Sequence, residues 1–230
     1  MSEMGTWVRR AFAEGIGTFF LVLVGTGTVM ADALSGGAIG PVGIALAFGL
    51  VVAGMIYAIG HISGAHINPA VTFGFWSIGR FPGRAVPVYV AAQCAGGIAA
   101  SATLRVVVGD VGDLGATVPS VSVPAAFTTE WLLSFALMFV IAAVATDERV
   151  AAGVAGLAVG LTVTFDALLG GFLTGASMNP ARTLGPALVG GIWHAHWLYW
   201  AAPITAMIAA ARTYDALRRS EAPAFPPAPL

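Results

Sequence analysis

Ser63-Gly64-Ala65-His66-Ile67-Asn68-Pro69-Ala70-Val71-Thr72 and Thr174-Gly175-Ala176-Ser177-Met178-Asn179-Pro180-Ala181-Arg182-Thr183 align without a gap. Six of the ten positions are identical, and the copies lie 111 residues apart. Such a repeat divides the 230-residue chain into two halves. Glu14 and Glu130 mark the same division, each early in the first apolar run of its half. Asn is a good helix cap and Pro suits the first helical turn. The apolar stretch after each Asn is too short to cross a membrane. Each copy therefore reads as an extended stretch followed by a half-helix beginning at Asn68 or Asn179.

Around these motifs the chain is 58% hydrophobic and 9% charged, with a mean hydropathy of +0.88. A soluble domain carries about 25% charged residues. The composition excludes a disordered chain and an ordinary cytosolic enzyme, and a net charge of −1 excludes a nucleic-acid binder. The single cysteine, Cys94, excludes an internal disulfide, and no Cys-based metal or cofactor is expected. Thirty glycines suggest helices packed backbone to backbone. Six apolar runs are long enough to span a bilayer: Ala11–Ala31, Pro41–Gly60, Ala85–Leu104, Ala125–Thr146, Ala151–Leu173 and Trp193–Ala211. They are continuously apolar rather than alternating, which argues against a β-barrel. Three spans per half is an odd number, so the second half enters the membrane inverted. The predicted fold is an all-α membrane protein of six transmembrane helices plus two re-entrant half-helices, arranged as an inverted repeat. It forms one domain over residues 1–230, with halves of about 1–107 and 125–219 and a disordered tail at 220–230.

All ten basic residues are arginine. Arg9, Arg10, Arg80, Arg84, Arg149, Arg212, Arg218 and Arg219 fall in the tails and in the loops after the second and fourth spans. Those segments share one side, which predicts cytoplasmic termini in a multi-pass protein of the cell membrane. Arg9-Arg10 reads as a topology signal rather than an export signal, because five more spans follow.

Inverted repeats place their working site near the midplane, on broken helices. Irregular backbone at that depth must line a wet cavity. Asn68 and Asn179 would each point an amide donor at the pore centre, beside a half-helix end carrying roughly half a positive charge. The stretches Gly64, Ala65, His66, Ile67 and Gly175, Ala176, Ser177, Met178 would turn carbonyls toward the pore. Glu14 and Glu130 are costly in lipid and are expected to accept hydrogen bonds from the two re-entrant loops. From the residues alone, an inverted-repeat channel and a secondary transporter both remain open.

The stretch from Gly60 to Thr72, with Ser177-Met178-Asn179-Pro180-Ala181-Arg182, resembles the two signature loops of the aquaporin (major intrinsic protein) family, in its bacterial type. The resemblance covers nearly the whole chain. It implies the aquaporin fold, the pore motifs Asn68-Pro69-Ala70 and Asn179-Pro180-Ala181, one pore per subunit and a homotetramer. It implies no enzyme activity and no cofactor, with water and small neutral solutes as partners. Arg182, whose repeat counterpart is Val71, becomes the selectivity-filter arginine. Phe48, Ala167 and Ala176 complete the filter. Strict water channels usually carry His where Ala167 stands, so the filter is expected to be wide and to pass solutes such as glycerol. Thr183, Ala187 and the pair Tyr199-Trp200 instead resemble strict water channels, which is the alternative. Asp166, beside Ala167, is expected to bond loop donors, or else to orient Arg182 or tune the outer pore. Cys94 is expected to be a packing residue beside Gly96-Gly97. His194 and His196, with Trp193 and Trp197, should mark the outer interface.

Overall fold

The computed structural model describes residues 3–151 and 153–219. The segment 220–230, read from sequence as a disordered tail, lies outside the described residues. The described chain is helical: α1 (Glu3–Leu34), α2 (Gly40–Ser63), α3 (Pro69–Ser77), α4 (Val86–Val107), α5 (Val123–Thr146), α6 (Ala155–Thr174), α7 (Pro180–Gly190) and α8 (Leu198–Arg219). Six of these are long. α3 and α7, of 9 and 11 residues, are the two expected half-helices.

Proline sets many of the starts. Pro41, Pro69, Pro87, Pro124 and Pro180 each occupy the first turn of their helix, where no N–H is needed and φ is already helical. Glycine sets the matching ends. Gly64 ends α2 at φ 93° and Gly175 ends α6 at φ 83°, a backbone state that a side chain would strain.

Several span boundaries differ from expectation: α6 begins at Ala155 rather than Ala151, and α8 runs on to Arg219 rather than ending at Ala211. The first helix is longer than its apolar core, running from Glu3 to Leu34. The last begins at Leu198 rather than Trp193, because residues 193–197 form turns with Ala195 at φ 49°. By length and apolarity α1, α2, α4, α5 and α6 each qualify as membrane spans. α8 is of spanning length at 22 residues but ends in the polar run Arg212–Arg219.

The helices cross where glycine removes the side chain. A Cβ on Gly160 of α6 would sit 2.6 Å from the Gly49 carbonyl oxygen of α2. A Cβ on Gly97 of α4 would sit 2.5 Å from the Ala181 carbonyl oxygen of α7. Backbone contact replaces the hydrophobic driving force that lipid does not supply. Phe12, Leu50, Leu132, Leu161 and Phe172 point outward and are exposed, the apolar belt a bilayer would cover. Buried polar residues instead gather along the re-entrant loops, including Glu14, Glu130, Thr72, Gln93 and Arg182.

Candidate functional site

Each half-helix is capped as its sequence demands. Asn68 is extended at φ −158° and its side chain accepts from Ala70 N at 2.8 Å. Asn179 is extended at φ −146° and accepts from Ala181 N at 3.0 Å and Arg182 N at 3.2 Å. The amide ends of both side chains reach across the repeat. Asn68 Nδ2 donates to the Met178 carbonyl at 2.8 Å, and Asn179 Nδ2 donates to the Ile67 carbonyl at 2.9 Å. Each amide still has a second N–H.

The stretches before the asparagines pass three times each through the left-handed region. Gly64, Ala65 and Ile67 have φ 93°, 47° and 42°; Gly175, Ala176 and Met178 have 83°, 43° and 51°. Alanine, isoleucine and methionine are unfavourable there by roughly 1–2 kcal/mol each. Two buried carboxylates hold the strained loops by their N–H groups. Glu14 Oε1 accepts from Ser63 Oγ at 2.7 Å and His66 N at 2.9 Å, and its Oε2 accepts from Ile67 N at 2.6 Å and Gln93 Nε2 at 2.8 Å. Glu130 Oε1 accepts from Thr174 Oγ1 at 2.6 Å and Ser177 N at 2.8 Å, and its Oε2 accepts from Met178 N at 2.8 Å.

Sequence reasoning missed the supports around them. Tyr89 OH donates to the Ser63 carbonyl at 2.8 Å and Tyr199 OH to the Thr174 carbonyl at 2.7 Å. The two tyrosines sit 110 residues apart, a repeat signal present in the sequence. Gln93 has no such twin, since Pro203 occupies the matching place in α8. His66 Nδ1 lies 3.0 Å from Thr72 Oγ1, and Ser177 Oγ bonds Thr183 Oγ1 in the same relative position.

A cavity of about 590 Å³ runs along these loops. Tyr57, His61, Ala145 and Gly153 are among its lining residues. The cavity also passes Gly64, Ala65, His66, Ile67 and both asparagines. Phe48, Ala167, Ala176 and Arg182 border it as well. Its other wall is apolar, built from Val52, Ile56, Val159 and Val163. Gly175 is not part of this lining; its Cα faces Thr117, whose Cγ2 would be 2.9 Å from an added Cβ.

Arg182 is 3% exposed. Its Nη1 donates to the Gly115 carbonyl at 2.7 Å, its Cζ stands 5.0 Å from the centre of the Phe48 ring, and its Nε has no partner. Phe48 is itself placed by Gly25 of α1, where a Cβ would lie 2.6 Å from the ring's Cζ. Asp166 corrects the sequence reading. It is 2% exposed, its Oδ2 has no hydrogen-bond partner, and the arginine is held by Gly115 instead. It sits one residue, about 100° of rotation, from Ala167. Just past the end of α5, hydrogen bonds from Arg149 to Asp147 hold that carboxyl below the usual range, and Tyr214 OH donates to it at 2.9 Å.

The family model described as "Major intrinsic protein" matches residues 1–214. The chain is 44% identical over 218 residues to Aquaporin NIP1-3 of Oryza sativa subsp. japonica, covering 94% of this chain and 76% of that protein. It is 43% identical over 218 residues to Nodulin-26 of Glycine max, covering 94% of this chain and 80% of that one. A solved structure of the aquaglyceroporin from Plasmodium falciparum superposes with a TM-score of 0.80 at 28% identity, covering 91% of this chain and 96% of that chain.

Proposed function

The chain belongs to the major intrinsic protein family, the aquaporins, and from that premise we propose that it is a passive membrane channel for water and small neutral solutes such as glycerol, with Phe48, Ala167, Ala176 and Arg182 as its filter. The observation that carries the reading is the single cavity bordered both by the two cross-bonded asparagines and by these four residues. It has one arginine donor, a row of loop residues and a long apolar wall, which suits an uncharged molecule with carbon on one side and hydroxyls on the other. The two half-helix N-termini and Arg182 all oppose a cation. The spare N–H of Asn68 and Asn179 would bind a passing water by its oxygen, turning its hydrogens outward and breaking a proton file. The solute-facing carbonyls are those of Gly64, Ala65, His66, Ile67, Ala176, Ser177 and Met178, since the Ile67 and Met178 oxygens that each accept an asparagine amide keep a second lone pair. Among the described residues that line the cavity there is no carboxylate, which favours a channel over a coupled transporter.

We place the chain in the plasma membrane with both termini cytoplasmic, following the arginine bias, and as a homotetramer, following the family. The strict-water alternative rested partly on Tyr199, whose hydroxyl instead ties the second loop as Tyr89 ties the first. Proteoliposome shrinkage in glycerol, urea and ammonia gradients, set beside osmotic water flux, tests the reading. Linear, unsaturable glycerol entry is expected. Entry no faster than in protein-free vesicles would leave the strict water channel.

A further inference from the structure

We propose that Leu114 and Thr117 are positioning residues of the selectivity ring: the left-handed turn between α4 and α5 holds the carbonyl that fixes Arg182, and so governs which solutes pass. This rests on reading Phe48, Ala167, Ala176 and Arg182 as the ring. Four consecutive residues, Gly112, Asp113, Leu114 and Gly115, have φ of 54°, 51°, 54° and 66°. Two of them carry side chains, so the chain does not adopt this turn for its own sake. Leu114 is fully buried, and it sits with Met30 of α1 and Leu104 of α4, flanked by Val108 and Val189. Gly115 packs directly on α1, where a Cβ would stand 2.7 Å from Thr26 Cβ. Leu114 thus pins the turn to the helix wall, and the next residue presents its carbonyl to Arg182 Nη1. Among the described residues that carbonyl is the guanidinium's one hydrogen-bond acceptor. Two residues further on, Thr117 Oγ1 donates to Thr183 Oγ1 at 3.1 Å, beside Arg182 in sequence, and Thr117 packs on Gly175. The turn therefore grips the filter on both sides of Ala176, through the arginine and through the start of the second loop.

Leu114 touches no solute; its effect passes through Arg182. Proteoliposomes of the parent, Leu114→Ala, Leu114→Met, Thr117→Val and Arg182→Val are compared for water permeability, glycerol permeability and proton leak. Leu114→Ala and Thr117→Val are expected to shift the glycerol-to-water ratio several-fold and to raise proton leak. Leu114→Met, which refills the pocket, should restore the parent's values. Adding Leu114→Ala to Arg182→Val should change ratio and leak no further, because the group it positions is gone. Parent-like ratio and leak in Leu114→Ala and Thr117→Val would overturn the proposal, as would full additivity with Arg182→Val. Should Leu114→Ala fail to fold, Thr117→Val, which keeps the side-chain shape, decides alone. If the parent passes no glycerol, the proton leak still reads the clamp, so failure of the solute reading stays distinct from failure of this one.

Discussion

Asn68 donates its side-chain amide to the carbonyl of Met178 at 2.8 Å, from the other half of the chain. Asn179 returns the bond to Ile67, so each half-helix start is anchored by the loop that leads to the other. The same asparagine oxygens cap their own helices. Capping and cavity lining are therefore not rival roles for these residues. One side chain does both, because an amide has one acceptor and two donors.

This pairing makes Asn68 a stability residue. Asn68→Ala removes a cap, worth about 1 kcal/mol, and a buried cross-repeat bond, worth about 1 kcal/mol more. The thermal midpoint in detergent should fall by several degrees. A midpoint equal to the parent's would mean the cross-bond carries no weight.

The two buried acids should differ. Gln in place of Glu turns one acceptor oxygen into a donor, which leaves facing N–H groups unmatched at about 1–3 kcal/mol each. Glu14 serves four donors, among them Gln93, whereas Glu130 serves three. Glu14→Gln is expected to lower the melting temperature more than Glu130→Gln. The reverse order would show that Gln93 adjusts to the substitution.

Much of this arrangement was legible from spacing. The duplicated Asn-Pro-Ala, the paired acids and the odd number of spans per half were sufficient for two half-helices meeting from opposite sides. What spacing does not carry is contact across the sequence. Nothing in Gly112-Asp113-Leu114-Gly115 announces a left-handed turn, since its two glycines suit many loops and its conformation is imposed by the pocket around Leu114. Gln93 looks like an isolated polar residue in the apolar run Ala85–Leu104, because its partner Glu14 lies 79 residues away. Asp166 is a buried acid in an apolar run, and its place beside Ala167 fixes only the direction of its side chain. Rotation gives the direction of a side chain and not whether a donor waits there.

Arg182→Val, which writes the first repeat's residue into the second, removes the one guanidinium that borders the cavity among the described residues. Proton or cation leak across proteoliposomes should rise well above the parent's. The Gly115 carbonyl also loses its donor, so the variant should melt at a lower temperature. A variant as proton-tight as the parent would show that the half-helix ends exclude cations unaided and that Arg182 selects among neutral solutes only.

Ala167→His bears most directly on the substrate class. Ala167 lines the cavity together with Phe48, Ala176 and Arg182. Two of the four are alanines, so the space between the Phe48 ring and the loop is set by methyl groups. An imidazole there would project into the lumen and add a polar contact. Rings of this kind select by diameter and by their lining donors. A water molecule needs little width and replaces its lost contacts with those of the new ring. A three-carbon polyol needs room for its backbone along Phe48 while its hydroxyls meet Arg182. The substitution should therefore reduce glycerol permeation far more than water permeation in the same vesicles. Equal reductions in both would mean that position 167 narrows the pore without choosing between solutes, and that the width is set at Phe48.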